Sequence, residues 1–252
     1  MNEILQVATF AGQMILENGG ETYRVEETIW RICKAFGAEE AESFVTPTGI
    51  MASICHEGQT YSLIKRVSKR SVDLYKIDLV NDLSRNILIK NLSVKDFKFE
   101  LQKINKSERY SDNITLLFSA LGAAAFTILF GGNIRDFSAA FIIGFIIKFL
   151  TIKGSNMQIN QFFINSLSAA VASFLAIIFV KIHLASNLDQ TIIGSIMLLV
   201  PGLAITNAIR DTIAGDLLSG LTRAAEAFLV AVSIAVGSGA ILSLWISSFG
   251  GI

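Results

Sequence analysis

The last long apolar stretch of the chain, residues 224–249, reads AAEAFLVAVSIAVGSGAILSLWISSF and carries one ionisable residue, Glu226, near its start. It exceeds the ~20 residues that an α-helix needs to cross the hydrocarbon core of a bilayer. Earlier apolar runs fall near 114–132, 136–152, 161–182 and 191–209. We therefore predict five membrane-spanning helices, the fifth at 224–248, because a water-soluble core of this size would leave too little polar surface to cover it.

Charge divides the chain into two chemically different halves. The 252 residues are 52% hydrophobic and 17% charged, with a mean hydropathy of +0.55. Lys+Arg and Asp+Glu number 21 each, and 15 and 16 of them fall in residues 1–113. We expect a cytoplasmic domain at 1–110 and a transmembrane domain at 111–252. The balanced charge excludes an extended basic surface, and with it a nucleic-acid partner.

Basic residues near the predicted spans set the expected orientation, because they resist translocation across the membrane. One side of a chain that threads five times receives Lys103, Lys106, Lys148, Lys153, Arg210 and Arg223. The other side receives Arg135 and Lys181. The N-terminus has no basic segment before its apolar residues, unlike a secretory signal. We predict a cytoplasmic N-terminus and contact of the second half with the lipid bilayer.

The polar half shows the periodicities of an α+β domain. Helical spacing over residues 3–17 ends at Asn18-Gly19-Gly20, where glycine tolerates the left-handed conformation that closes a helix. A second helical pattern ends near Phe36-Gly37, and three β-prone runs and two further helical patterns follow. These later elements are predicted at 42–46, 49–54, 60–67, 72–91 and 93–106. The predicted fold class is an α+β cytoplasmic domain, with a small antiparallel sheet, followed by an all-α transmembrane bundle of five helices.

Two unusual motifs resemble those of the threonine/serine exporter family. The first is LENGGETYRVEETIWRI at 16–32, followed by FVTPTGIMASI at 44–54. The second is LVPGLAITNAIRDTIAGDLLSGLTRAAEA at 199–227. The likeness covers nearly the whole chain and is to the N-terminal module of the family. Full-length exporters resemble a fusion of this module with a second membrane module, so this chain resembles the larger subunit of the split, two-protein succinate exporter pair.

The resemblance implies a function and a location. The expected function is a subunit of a bacterial inner (plasma) membrane exporter of small polar metabolites, either threonine/serine-type amino acids or dicarboxylates such as succinate. The expected partner is a short membrane protein of the same family that supplies the second module. One alternative is a membrane-tethered hydrolase or small-molecule sensor with its activity in residues 1–110. Another is an assembly partner without a substrate site of its own. The sequence favours a transporter over an enzyme.

The second motif supplies the first set of candidate site residues. Proline removes a helix hydrogen bond, and broken helices commonly frame transport sites in membranes. Polar and ionisable residues then follow among apolar and small ones, and a buried carboxylate among them is a candidate carrier of a coupling proton. The alternative is a harmless kink followed by a solvated loop. The predicted substrate or proton pathway comprises Pro201, Gly202, Asn207, Arg210, Asp211, Asp216, Arg223 and Glu226.

The first motif supplies a second set of candidates, for binding or gating in the cytoplasmic domain. It comprises Glu21, Tyr23, Arg24, Glu26, Thr46 and Thr48. The alternative is structural, because Thr46-Pro47-Thr48-Gly49 has turn chemistry and the charged residues can dock a helix onto the sheet. No catalytic residue or metal site is predicted, since His56 and His183 lack ligands at metal-binding spacing. No cofactor is expected beyond the proton gradient.

Overall fold

The structure is a computed structural model that describes residues 1–68, 71–107 and 110–250. Its contacts define two compact units. Unit 1 comprises Met1–Arg109 and Gly202–Glu226, and unit 2 comprises Tyr110–Pro201 and Ala227–Ile252. The division into a cytoplasmic domain at 1–110 and a transmembrane domain at 111–252 stays a prediction. The last two residues of the predicted transmembrane domain, 251 and 252, lie outside the described part. The contacts place Gly202–Glu226 in the same unit as the N-terminal hundred residues.

Unit 1 has the predicted order of two helices, three strands and two helices. Its strands form an antiparallel sheet in the order β1-β2-β3, with Thr46 opposite Gly49 and His56 opposite Gln59 at the two turns. Side chains cap the later helices, as when Asp73 accepts from the backbone N–H groups of Tyr75 and Lys76, both at 3.1 Å. The elements are α1 (Asn2–Glu17), α2 (Thr22–Ala35), β1 (Glu40–Thr46), β2 (Gly49–His56), β3 (Gln59–Arg66), α3 (Leu74–Arg85) and α4 (Val94–Lys106).

One face of the sheet is buried under α1 and α2. The core there is aliphatic, and Phe97 of α4 closes it with an edge-on contact to Phe36 at 5.7 Å between ring centroids. The opposite face exposes one apolar row across the strands, formed by Phe44, Met51 and Ile64. The alternation of buried and exposed residues is what a half-buried antiparallel sheet requires.

The loop between α1 and α2 is held rigidly by glycine and asparagine. Gly19 has φ = +93°, and a Cβ on Gly20 would lie 2.3 Å from Ile15 Cγ2. Both positions therefore require glycine. The side-chain amide of Asn18 donates to Met14 O at 2.6 Å, while its backbone carbonyl accepts from Asp73 N at 3.1 Å. The loop enters α2 in a fixed conformation.

Apolar helices make up unit 2 and confirm the coarse prediction of several candidate spans. In the described part of the chain, four helices are long and apolar enough to cross a membrane, or five if one broken pair counts as a single span. The broken pair is α8 (Leu188–Ile196), with its 3₁₀ turn Met197–Leu199, and α9 (Gly202–Ala214), which itself belongs to unit 1. The other four are α5 (Asp112–Leu129), α6 (Ile134–Asn156), α7 (Gln161–Lys181) and α10 (Leu217–Phe249).

The helices of unit 2 approach closely at small residues. A Cβ on Gly237 of α10 would lie 1.9 Å from the carbonyl oxygen of Ser166 on α7. Likewise, a Cβ on Gly144 of α6 would lie 2.6 Å from the Cβ of Ala123 on α5. This is the packing that small residues permit between membrane helices.

Candidate functional site

The chain breaks its helix at the predicted proline. The 3₁₀ turn ends at Leu199, Val200 is extended, and α9 restarts at Gly202. Pro201 has no N–H to donate, and the last bond before it runs from Val200 N to Met197 O at 3.3 Å. The interruption that Pro201 predicts is present, and α9 carries the polar half of the second motif into unit 1.

Asp211 and Arg223 form a buried ion pair inside unit 1. Asp211 is fully buried and Arg223 is 8% exposed. The Nε of Arg223 lies 2.9 Å from Asp211 Oδ2, although its N–H does not point along the contact, which makes it an ion pair rather than a hydrogen bond. The Nη2 of the same side chain donates to Gly20 O at 2.8 Å. An isolated charge at this depth would be strongly destabilising, so each residue requires the other.

The same carboxylate of Asp211 occupies the N-terminus of α2. It accepts hydrogen bonds from the Thr22 backbone N–H at 3.2 Å and from the Thr22 hydroxyl at 3.0 Å. Glu21, in the N-cap position of α2, makes no capping hydrogen bond with its side chain. Asp211 therefore satisfies a free N–H of the first turn and opposes the positive end of the helix dipole.

Glu21 instead faces two arginines. Its carboxylate accepts from Arg210 Nη1 at 2.5 Å and lies 3.2 Å from Arg24 Nε. Burial acts to raise the pKa of Glu21, but a backbone hydrogen bond and the two arginines outweigh it, and the pKa is lowered. The arginine side chains are 56% and 37% exposed, whereas that of Glu21 is 8% exposed. Both guanidinium groups thus keep a solvent-facing side.

Asn207 joins the loop to α9 and leaves one acceptor without a partner. Its Nδ2 donates to Gly19 O at 2.8 Å, and the residue is 1% exposed. Its Oδ1 is buried and has no hydrogen-bond partner among the described residues. Unsatisfied buried acceptors are rare in native structures and commonly occur at functional sites.

Glu26 and Asp216 complete the acidic part of the site. Burial raises the pKa of Glu26, as do the charges of Asp216 and Asp211, while a hydrogen bond from Val45 N at 3.0 Å opposes the rise. Burial and the charge of Asp211 likewise raise the pKa of Asp216. Like charges close together disfavour full ionisation, so these carboxyls bind protons at a higher pH than usual.

The structure brings together most, but not all, of the predicted site residues. We call the connected group the charged cluster, and its members are Glu21, Thr22, Arg24, Glu26, Asn207, Arg210, Asp211, Asp216 and Arg223. Thr46 and Thr48 instead make contacts around the turn between β1 and β2, where Thr46 Oγ1 donates to Gly49 O at 3.4 Å and Thr48 O accepts from Val67 N at 3.0 Å. A Cβ on Gly202 would meet nothing within 4 Å. Tyr23 is 40% exposed, and Glu226 lies three residues beyond Arg223 on α10.

Sequence reasoning missed three contributors to the charged cluster. Thr22 supplies both donors to Asp211, although it stands between two residues that the pattern singled out. Gly19 and Gly20 contribute carbonyl oxygens, which carry no signal in a side-chain pattern. The predicted turn at Asn18-Gly19-Gly20 was the available clue, because a tight glycine turn leaves its carbonyls free to accept.

The charged cluster brings positively and negatively charged side chains close together. Three guanidinium groups and four carboxylates lie within or beside the loop before α2, and two of the carboxylates have raised pKa values. Such a set can bind a carboxylate through arginine and can take up a proton. In the described part of the chain, no three His, Cys, Asp or Glu side chains are grouped as a metal ion would require.

Comparison with known proteins gives one family and two curated relatives. Residues 6–245 match the family model described as "Putative threonine/serine exporter". A protein of Klebsiella aerogenes named "Probable succinate transporter subunit YjjP" is 25% identical over 236 residues, covering 92% of this chain and 90% of its own. The Escherichia coli K12 protein of the same name is 24% identical over 241 residues, covering 93% and 91%. No solved structure matches.

The family match and the apolar helices together support a membrane exporter, a multi-pass protein of a bacterial membrane. Membership of a transporter family also favours transport over catalysis. The match runs through both motifs and includes most or all of each helix that, in the described part of the chain, could span a membrane. The chain belongs to the threonine/serine exporter family.

Proposed function

We propose that this chain is the larger subunit of a two-subunit exporter that moves a small dicarboxylate, such as succinate, out of a bacterial cell. The observation that carries the proposal is the extent of the likeness. Both curated relatives are named as succinate transporter subunits, and each aligns over nine-tenths or more of both chains. Threonine and serine are the competing substrates, because the family model is described by them.

The charged cluster gives a physical reason to favour an anionic substrate. Arg210 and Arg24 already hold a carboxylate, that of Glu21, while exposing a large part of their own surface. A substrate carboxylate that displaced the carboxylate of Glu21 would bind the same two guanidinium groups. Arginine suits this role because its planar donors match the two oxygens of a carboxylate.

Coupling to protons belongs to the same proposal. Glu26 and Asp216 are the carriers we favour, since their pKa values are raised and they lie beside the buried Asp211. Protonation of either carboxylate would reduce the negative charge around Asp211. An incoming anion would then meet less electrostatic repulsion. Export of the dicarboxylate would then depend on the pH difference across the membrane.

The partner in this proposal is a short membrane protein that supplies the second module of the family. The word subunit in the names of both relatives supports a partner, and the resemblance to the split form supports its size. In this proposal the N-terminus is cytoplasmic, so the charged cluster would lie on the side from which an exported solute arrives.

Efflux from proteoliposomes tests the proposal. Vesicles preloaded separately with labelled succinate, threonine or serine would contain this chain alone, a candidate short partner alone, or both. We expect succinate efflux only when both proteins are present, faster when a pH gradient is imposed. Efflux of threonine or serine instead would reassign the substrate, and the absence of any efflux, with insertion verified, would overturn the proposal.

Two matched variants connect the flux to the charged cluster. Asp216→Asn removes a protonatable group and should abolish most of the succinate flux while insertion and abundance remain normal. Asp189→Asn makes the same chemical change at an exposed residue of α8 and should leave the flux intact. Full flux in the Asp216 variant would remove this residue from the mechanism.

A further inference from the structure

Unit 2 contains a half-open cavity, lined by both apolar and polar residues, that includes no residue of the charged cluster. Its volume is about 270 Å³, and it lies among α6, α7, α10 and the broken end of α8. Leu199 and Val230 contribute apolar wall, and the polar side chains on its lining are Lys148, Thr151, Gln161 and Asn165. The volume is at the lower end of small-molecule sites, which suits a metabolite of a few carbon atoms.

Lys148 is the unusual member of this lining. It lies within α6, between the apolar residues Ile147 and Phe149, and is one of only six Lys and Arg after residue 113. Among the described residues, no carboxylate forms an ion pair with its ammonium group, and the charge of Asp112 acts on it only from a greater distance. A cation inside a membrane helix is costly unless it meets an anion or a hydrated cavity. The position therefore favours an anionic ligand.

Asn165 supplies a second polar group to the lining. The residue is 4% exposed and its Oδ1 accepts from Gln161 Nε2 at 3.0 Å. With this bond, its Nδ2 has no protein partner among the described residues, and the group is open to the cavity rather than sealed from water. A donor of this kind on the lining of a cavity is available to a bound molecule.

Two of the groups on this lining that lack a protein partner among the described residues are hydrogen-bond donors. Lys148 offers an ammonium group and Asn165 offers an amide, while the hydroxyl of Thr151 already donates to Lys148 O at 2.8 Å and keeps its lone pairs. A carboxylate is the small group that accepts from several donors at once and also neutralises an ammonium. Pro201, which cannot donate, adds no competing N–H to the lining.

We propose that this cavity binds a carboxylate of the exported solute, with Lys148 as the counter-ion and Asn165 as the neutral donor. The inference rests on the proposed function, and it adds a second binding position within unit 2. A solute with two carboxylates, or an amino acid with one, meets this requirement through the same chemical group.

Equilibrium binding to the purified full chain, reconstituted with its partner, tests the proposal. Lys148→Met should weaken the binding of labelled succinate by about tenfold to hundredfold, the range expected for loss of one charge-assisted hydrogen bond. Lys148→Arg keeps the charge and should retain most of the affinity. Lys153→Met is the matched control, because it removes the same charge from the same helix at a residue that does not line the cavity.

Chemical modification provides a second readout that does not depend on transport. In a Cys55→Ser background, Lys148→Cys should react with an ethylammonium methanethiosulfonate, and succinate should slow the reaction at a concentration raised to match the weaker binding expected without Lys148. The product carries an ammonium group again and should recover part of the binding. Protection by threonine as well as succinate would identify one carboxylate as the recognised group, whereas protection by succinate alone would identify the dicarboxylate.

The outcomes separate this inference from the proposed function. If the wild type exports succinate while Lys148→Met binds it normally, the cavity is not the site and the proposed function stands. If the wild type exports no carboxylate but succinate still protects the cysteine, the cavity is a carboxylate site and the proposed function fails. Absence of protection in an active transporter overturns the inference.

Discussion

Glu26 illustrates how the charged cluster holds its protons. Its Oε1 accepts from Val45 N, yet burial, together with the charges of Asp216 and Asp211, raises its pKa above the usual 4.5. The ionised form is therefore less favourable in the folded protein than in the unfolded chain. A carboxyl with a raised folded pKa stabilises the fold at pH values below its unfolded pKa, and this stabilisation is lost as the pH rises through the folded pKa.

Glu26→Gln should remove this pH dependence. The variant keeps an oxygen that can accept from Val45 N but cannot ionise. We expect its melting temperature, relative to the wild type, to rise between pH 4 and pH 7, because only the wild type acquires the unfavourable charge. Thermal unfolding in detergent at several pH values measures the difference. Glu40→Gln, at an exposed position on β1, is the control, and equal pH profiles for the wild type and Glu26→Gln would contradict the assignment.

At the scale of elements, α7 and α10 pack closely because Gly237 has no side chain. The backbone of Ser166 occupies the space that a Cβ on Gly237 would need, at 1.9 Å. The neighbouring contact between the Ser173 and Ser238 hydroxyls at 2.6 Å depends on the same close approach. The two helices cannot separate without losing this bond.

Gly237→Ala should therefore destabilise unit 2. The backbone cannot move as a flexible side chain can, so we expect a loss of about 1–3 kcal/mol, typical of overpacking. Gly239→Ala is the matched control on the same helix, because its Cβ would meet nothing within 4 Å. Thermal unfolding curves of the two variants in detergent test this prediction. Equal stability would mean that α7 and α10 are not packed as described.

The elements were largely predictable from periodicity, and their ends were less so. The two helices, three strands and two helices of unit 1 follow from the spacing of apolar residues. The spans near 114–132 and 161–182 correspond to α5 and α7. The run at 136–152 extends to Asn156 in α6, because helix bonding continues through Lys153 and Gly154 until the chain turns at Met157. Composition marks where residues are apolar, whereas backbone hydrogen bonds decide where a helix ends.

At the scale of the whole molecule, the charged cluster joins residues that are far apart in the sequence. Thr22 and Asp211 are separated by 189 positions. The two motifs were each recognisable, but their meeting was not, because composition and periodicity report local structure and do not identify which distant residue a carboxylate will face. The sequence supplied most of the cluster's members and left their contacts unknown.

Asp211→Ala should loosen unit 1 well beyond the site of the change. It would leave Arg223 as a buried charge without a partner and α2 without its cap, at a cost of about 3–5 kcal/mol. Hydrogen exchange should accelerate at Thr22 and along α2, and much less in α5 to α7. Adding Arg223→Met removes the unpaired charge and should recover part of the stability. A double variant as unstable as the sum of the two single ones would contradict the pairing.

The large sequence separation between Asp211 and its contacts on α2 also sets an order of events during synthesis. The loop before α2 leaves the ribosome early, but its partners on α9 and α10 follow 189 to 203 residues later. At the usual 5–20 residues per second, the N-terminus of α2 waits roughly 10–40 s for its carboxylate. A nascent chain halted before residue 202 would hold an uncapped α2 and a Glu21 that has Arg24 but not Arg210 as a partner. The N-terminal unit therefore reaches its final contacts only when the C-terminal helices have been synthesised.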